Sequence, residues 1–350
     1  MQLKGMLRHK MGWAEPKGAH HGVVLASRVR LARNLSSEHF PAHASPSALK
    51  RVLDAAFLAA QYGPLAQAAF LKVGDFAAVD RRLLVERHLI SPLLEAHPAQ
   101  RGVIIAADEC LSLMINEEDH LRLAALQPGL SLRQAYRHAE ALDESLETGL
   151  RYGFRSDWGY LTACPSNLGT GLRASCLVHL PGLGLTGLMD QVLENLKRAG
   201  LIARGLYGEG TKVMGDFFQI SNATGLGRTE AEILGAIEKA VGQLAERELE
   251  CRERLASGPN RARLEDTVYR AVGLLSSARL LSFEEACHHL SALRVGLTLG
   301  WDVPGDIGLV NELLLLVQPA HLTLLAEKDL PAAEAASLRA ALVRRRLGKD

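Results

Sequence analysis

The sequence predicts a mixed region of strands and helices followed by an all-helical region. Two observations carry this. Between Gly22 and about Thr224, short β-like runs alternate with runs whose apolar residues recur at three and four; after Arg228 the strand signal all but vanishes. In chain order, residues 23–27, 102–106, 111–115, 159–163, 172–180 and 217–221 read as strands, and 131–150 and 185–199 as amphipathic helices. Thr229 can cap a long run, 230–256, with Leu, Ile and Val on one face and Glu and Arg on the other. Ser257, Gly258, Pro259 and Asn260 break it. The runs 264–275, 282–297, 305–316 and 332–347 then read as helices separated by Gly, Pro or Ser. A boundary at 257–259 divides the chain into an N-terminal segment 1–21, a mixed region 22–256 and a helical region 261–350.

With 350 residues, 48% hydrophobic and 23% charged, the chain can bury a sizeable core. Forty Lys and Arg against 39 Asp and Glu leave a net charge of +1, so nothing in the bulk charge points to nucleic acid or membrane as a partner. The five cysteines, Cys110, Cys164, Cys176, Cys251 and Cys287, are odd in number and contain no C-x-x-C pair, which argues against a disulfide framework and a zinc ribbon and favours a reducing cytoplasm. Residues 1–20 lack the apolar run of a signal peptide, and the most apolar stretch, 309–325, is interrupted by Asn311, Glu312, Gln318 and His321.

The common nucleotide signatures are absent: there is no G-x-x-x-x-G-K-[ST], no H-R-D and no H-E-x-x-H. A G-x-G-x-x-G occurs at Gly182, Gly184 and Gly187, but Pro181 stands at its entry and no clean βαβ run surrounds it, so it reads as an ordinary strand-to-helix turn. More informative are arginines set in short β-like or Gly-rich segments: Arg28, Arg30, Arg122, Arg173 and Arg204. Arg28 and Arg30 lie two apart on a strand and leave the same face. Paired guanidinium forks suit a polyphosphate, because Arg offers planar bidentate donors to phosphate oxygens. Against them stand Glu118, in Asn-Glu-Glu-Asp-His, and Glu209, between Gly208 and Gly210. Such carboxylates can hold a guanidinium acceptor, aim one nitrogen at phosphorus and accept its proton.

Five segments together resemble the guanido (phosphagen) kinase superfamily, and within it the protein arginine kinases, in the family's order. They are Ala-Ser-Arg-Val-Arg-Leu-Ala-Arg-Asn at 26–34, Ile-Asn-Glu-Glu-Asp-His-Leu-Arg at 115–122, Cys-Pro-Ser-Asn-Leu-Gly-Thr-Gly-Leu-Arg-Ala-Ser at 164–175, Arg-Gly-Leu-Tyr-Gly-Glu at 204–209 and Gln-Ile-Ser-Asn at 219–222. The resemblance implies an α+β catalytic domain, an antiparallel sheet flanked by helices, followed by an all-helical dimerisation and regulatory domain. It implies that ATP is held by Ser27, Arg28, Val29, Arg30, Arg122, Arg173, Ala174, Ser175, Arg204 and Gly205, with His88 packed on the adenine. Glu118 and Glu209 match the carboxylates that bind the acceptor guanidinium, with Glu209 as proton acceptor, and Cys164 matches the reactive cysteine beside it. Magnesium is expected on the nucleotide phosphates, with several waters kept, since no dedicated carboxylate cage is evident.

Which guanidinium is phosphorylated follows from domain layout. Kinases of free arginine or creatine resemble one another in having a helical domain before the first catalytic motif, which serves as a lid for the small acceptor; here 21 residues precede Gly22. A helical region follows instead, as in the protein arginine kinases. The expected acceptor is thus an arginine on a protein substrate. An activator protein, Clp protease components and a second copy of the chain are the further partners implied. The rival readings are a kinase of free arginine and a non-catalytic adaptor for arginine or phosphoarginine proteins. One departure stands out: where the family carries Arg-Asp-x-x-Arg-Ala near the C-terminus, a pocket for phosphoarginine, this chain has Ala335, Ala336, Ser337, Leu338, Arg339 and Ala340. That weakens the expectation of phosphoarginine sensing there, and Arg344, Arg345 and Arg346 read as a solvated helix end.

Overall fold

In the computed structural model, residues 3–205 and 214–348 are described. Among them ten strands form: β1 Val24–Arg33, β2 Ala69–Lys72, β3 Gly102–Ile105, β4 Leu111–Ile115, β5 Leu121–Pro128, β6 Phe154–Arg155, β7 Gly159–Tyr160, β8 Leu172–His179, β9 Leu201–Gly205 and β10 Phe217–Asn222. Eight make one sheet in the order β2-β3-β4-β5-β1-β8-β10-β9, antiparallel at every junction, and β6 and β7 pair as a small hairpin. The helices are α1 Pro46–Ala59, α2 Ala78–Glu86, α3 Pro92–Ala96, α4 Leu132–Glu147, α5 Pro181–Leu185, α6 Met189–Arg198, α7 Glu230–Ser257, α8 Arg261–Ser277, α9 Phe283–Thr298, α10 Ile307–Leu316, α11 Pro319–Ala326 and α12 Ala332–Arg346. The α+β class and the antiparallel sheet are as expected.

The period of two along a strand divides the sheet into two surfaces of different chemistry. Val29, Leu31, Leu123, Ala125, Ala174 and Ile220 point to one side, where α4 and α7 bring Ala135, Leu142, Ile237 and Val241 against them. Among the described residues the other side is closed only at its margins. Over β3 and β4 it is covered by α2 and α11, through Leu83, Leu84, Val103, Met114, Ala320 and Leu324. Over the start of β1 and the end of β5 it is covered by α9, α10, α12 and the N-terminal segment, which pack Leu290, Leu313, Val343, Met11 and Trp13 on Leu25, Ala26, Leu126 and Phe217. The helical region is thus a wall of the sheet's second surface, and residues 11–14 belong to the same core.

Local signals explain the helix ends. Thr229 and Glu232 form a capping box for α7, as do Ser282 and Glu285 for α9. The strand expected at 159–163 is shorter, Gly159–Tyr160, and the helix expected from 185 begins at Met189. The glycine-rich turn at 182–187 opens α5, where the N–H groups of Gly182 and Leu183 donate to the Glu248 carboxylate at 2.8 and 2.9 Å, and Glu248 is paired with Arg252 at 2.6 Å. Its donors are satisfied by a buried side chain, in keeping with an ordinary turn.

In the stretch that departs from the family, Arg339 is buried and donates to the carbonyls of Val317 and Leu281 at 2.7 and 2.8 Å. It ties α12 to the end of α10. Arg344 corrects the reading of a solvated helix end: it is buried and donates to Ala278 O at 2.6 Å, whereas Arg345 is exposed. Among the described residues no single helix is long and apolar enough to cross a membrane; the apolar pair α10 and α11 is bent by 79°.

Candidate active site

The register of the central strands brings the predicted arginines onto one surface. Arg30 on β1 lies opposite Arg173 on β8 and Ala124 on β5; Arg28 lies opposite Ser175 and Leu126; Ala32 lies opposite Arg122. Leu177 of β8 faces Gln219 of β10, which faces Arg204 of β9. Residues directly opposite on antiparallel strands share a face. Arg28, Arg30, Arg122, Arg173, Ser175 and Arg204 therefore stand on the surface that α4 and α7 leave open, spread across five adjacent strands. Gly205 ends β9, opposite Phe218.

The electrostatics of this surface are those of a site waiting for an anion. Burial, and then the nearby guanidinium groups of Arg122 and Arg173, lower the pKa of Arg28 to about 10. Burial and three neighbouring arginines push Arg30 well below its ordinary value, with only Glu117 opposing. Arg30 Nε is buried and has no hydrogen-bond partner among the described residues. Like charges held this close cost stability unless a polyanion joins them. Polar neighbours orient the forks: Arg173 donates to Ser221 Oγ at 3.3 Å, and Gln219 donates to Ser175 Oγ at 2.9 Å.

Ser27, Val29 and Ala174 lie on the opposite face. Ser27 is fully buried, donates to Gly129 O at 2.7 Å and accepts from Ser131 N at 2.9 Å, while Val29 and Ala174 are in the core. Their side chains set the strand alternation that aims the arginines and do not themselves line the arginine surface.

At one edge of that surface the turn between β4 and β5 carries the acidic residues. Asn116 takes a positive φ of 61° and its N–H bonds to His120 O at 2.9 Å, closing a tight loop. Glu117 is buried and accepts from Arg122 at 2.5 Å; burial raises its pKa, but Arg122, Ser91 and a backbone N–H outweigh that and keep it below the ordinary carboxylate value. Glu118 stays partly exposed, 3.9 Å from Arg122, and burial raises its pKa. The two neighbours thus divide their roles: Glu117 pairs with a guanidinium of the chain, and Glu118 keeps its carboxylate toward solvent. Asp119 accepts from Asn34 Nδ2 at 2.6 Å and from Ala163 N at 2.7 Å. That joins the end of β1 and the segment leading to Cys164 to the acidic loop. Cys164 is half-buried, with Sγ 3.1 Å from Ser166 Oγ. Glu209 lies outside the described residues.

At the other edge a small pocket is lined by Trp13, Ala26, Arg28, His88, Leu126, Ser175, Leu177 and Gln219. His88 adopts a left-handed φ of 61°, and its ring meets Trp13 edge to face at 5.7 Å between centroids. Burial, and then the charge of Arg28, lower its pKa to about 3, so the ring is neutral at ordinary pH. An apolar slot with a neutral aromatic wall, opening onto an arginine surface, fits a flat base joined to phosphates. Trp13, Glu117, Asp119 and Gln219 were not among the predicted site residues. The last three lie inside motifs quoted above, whereas Trp13 sits in a segment with no motif.

The comparisons with known proteins agree with this geometry. Residues 51–251 match the ATP:guanido phosphotransferase C-terminal catalytic domain, and 261–350 match the protein-arginine kinase McsB C-terminal domain. The protein-arginine kinase of Symbiobacterium thermophilum is 43% identical over 344 residues, 97% of each chain, and that of Halothermothrix orenii is 41% identical over 99% of each. Among solved structures, a duplicated taurocyamine kinase from Schistosoma mansoni with bound transition-state analogue components matches 70% of this chain and 35% of its own, with a TM-score of 0.59 and 27% identity. A lombricine kinase matches 69% of this chain and 70% of its own, with a TM-score of 0.58 and 25% identity.

Proposed function

The chain belongs to the ATP:guanido phosphotransferase family, with the protein-arginine kinases, and on that premise we propose how its residues divide the transfer of a phosphoryl group from ATP to an arginine side chain. The adenine lies against His88, which Trp13 backs from the core, and the phosphates lie along Arg28, Arg30, Arg122, Arg173 and Arg204. The observation that carries this reading is the gathering of arginines on one surface, where burial first and then neighbouring guanidinium groups lower Arg28 and Arg30, and Arg30 Nε lacks a partner among the described residues. A phosphoryl group in flight spreads negative charge over three equatorial oxygens, and preorganised guanidinium donors stabilise it without reorganising at the moment of transfer.

The acceptor guanidinium is held by Glu118 on one side and by Glu209 on the other. Its nitrogen attacks the γ-phosphorus as the bond to the β,γ-bridging oxygen breaks, and its proton passes to Glu209. Glu118 supports this role by being the carboxylate of the acidic loop that faces solvent, and Cys164 joins the acceptor side through the Asp119 link. Magnesium, held on the nucleotide phosphates, would neutralise part of their charge. The acceptor is carried by a protein, as the names of the relatives imply. All five cysteines are free thiols, in keeping with a reducing cytoplasm. A second copy, an activator and Clp components complete the proposed setting. Exposed Leu274 and Leu280 and the stacked Tyr269 and Trp301 pair give the helical region an apolar surface for self-association.

The test is mass spectrometry, at neutral to alkaline pH to spare the P–N bond, of a reaction containing ATP, free arginine and an unfolded arginine-bearing protein. Phosphate is expected on the protein; phosphate on free arginine alone would overturn the acceptor assignment. Glu209→Ala should abolish transfer while leaving ATP binding intact, and unchanged turnover would remove its role as proton acceptor.

A further inference from the structure

Behind His88 lies a buried ionic cluster that the transfer chemistry does not use. Glu86, the last residue of α2, is almost fully buried, yet its carboxylate makes no contact with the arginine surface. It accepts from the backbone N–H of Ala320 at 2.9 Å and of His321 at 3.1 Å, and from His321 Nδ1 at 2.8 Å. It therefore caps the first turn of α11, in the helical region. Arg87 follows, also buried, and forms a two-pronged pair with Glu109 at 2.8 and 2.6 Å. Its remaining nitrogen meets His321 Nε2 at 3.4 Å. A guanidinium only donates, so His321 Nε2 is the acceptor and its proton sits on Nδ1, facing Glu86. One neutral imidazole thus joins both charged residues, each bond fixing the tautomer that the other requires.

The next residue is His88, whose left-handed backbone is a conformation that a non-glycine side chain holds only when its surroundings enforce it. Backbone bonds close α2 in that conformation, His88 N–H to Val85 O and Leu89 N–H to Leu84 O, both at 2.9 Å, and Glu86 and Arg87 anchor this helix end to its neighbours. Trp13, against which His88 packs, is held near the same cluster: Gly12 N–H donates to Asp108 O at 3.0 Å, beside Glu109, and Trp13 follows. Arg87 also donates to His9 O at 3.4 Å.

We propose that His321, through Glu86 and Arg87, is a positioning residue for the nucleotide: the helical region fixes how His88 sits against Trp13 and thereby the affinity for ATP. This rests on the reading of that slot as the adenine site. The cluster touches neither the phosphate surface nor the acidic loop, so its loss moves ATP binding and leaves the transfer step at saturating nucleotide unaltered.

The experiment measures KM for ATP and kcat with an unfolded arginine-bearing protein as acceptor, using the full chain and checking the fold of each variant by circular dichroism. His321→Leu removes both bonds and is expected to raise KM for ATP about tenfold, as loss of a hydrogen bond to a charged partner does, with kcat kept within about twofold. His321→Asn keeps a side-chain N–H toward Glu86 and should recover most of the affinity, a rescue that a mere packing role would not show. In a His88→Ala background, His321→Leu should add no further loss. If His88→Ala leaves KM for ATP unchanged, the adenine role of His88 falls and the positioning role falls with it. If His88→Ala raises KM but His321→Leu does not, or if kcat drops in parallel with affinity, the positioning role alone is overturned.

Discussion

Arg30 stands opposite Arg173 and two residues from Arg28, and its charge is disfavoured where it sits, first by burial and then by the neighbouring guanidinium groups of Arg28, Arg122 and Arg173. A group held against its own stability is one whose partner arrives with the substrate. Two consequences follow, of opposite sign. Arg30→Met should stabilise the nucleotide-free protein by on the order of 1 kcal/mol, seen as a raised melting temperature, because it removes a half-buried charge from among like charges. The same variant should lower kcat/KM by roughly 10² to 10³, the scale for removing one preorganised donor from a developing oxyanion. Differential scanning calorimetry and a phosphotransfer assay on the same preparation check both; a variant that is less stable and still active would show that Arg30 is a structural arginine.

The turn between β4 and β5 works as an element because two side chains tie it to its neighbours. Asn34 bonds to Asp119 and to the backbone N–H of His120, while Asp119 reaches Ala163 N. Asp119→Ala would take the acceptor from Ala163 N and one of the two acceptors from Asn34 Nδ2, which keeps Leu161 O, costing about 1 kcal/mol of stability. It should also loosen the Cys164 segment relative to Glu118. Expected kinetics are a raised KM for the protein acceptor with KM for ATP unchanged, and equal effects on both would place Asp119 in the general fold. At this scale the limits of sequence reading are plain. β1, β8 and β10 were legible because apolar residues alternate with arginine, serine or glutamine along them. β5, Leu-Arg-Leu-Ala-Ala-Leu-Gln-Pro, was not read as a strand because Leu and Ala favour helices; pairing with β1 and β4 on both sides overrides that preference. β9 and β2 are short edge strands with little pattern. For α1 a signal was present and unused: Ser45 caps it, with Pro46 at its first position. The phosphate half of the site was legible for a related reason, since arginines two apart on a strand must share a face. The adenine slot was only half legible, because Trp13 reaches it from a distant segment by packing alone.

At the scale of the whole molecule, the boundary at 257–259 marks a change of texture without marking an independent folding unit. A single core joins Met11 and Trp13, the sheet residues Leu25, Leu126 and Phe217, and the helical residues Leu290, Leu313 and Val343. Buried polar ties cross the same junction. Arg252 donates to Gly22 O, His179 O and Thr298 Oγ1, Arg294 donates to His21 O and Asn311, and Asn311 donates to Ala14 O. Burial, and then the neighbouring Arg252, lower the pKa of Arg294 to about 9, a cost that its bonds to His21 O and Asn311 offset in part, Nε having no partner among the described residues. Separating the regions would expose this apolar core, strip the Arg294 guanidinium of its bond to His21 O and take the Thr298 acceptor from Arg252. Partial unfolding at that junction is therefore nearly as unfavourable as global unfolding, and the two regions should share one cooperative transition. Calorimetry of the full chain is expected to give a single endotherm whose calorimetric and van't Hoff enthalpies agree, and saturating ATP should shift it upward as one peak. Two resolved transitions, with only the lower or the upper moved by ATP, would mean that the helical region folds apart from the nucleotide site.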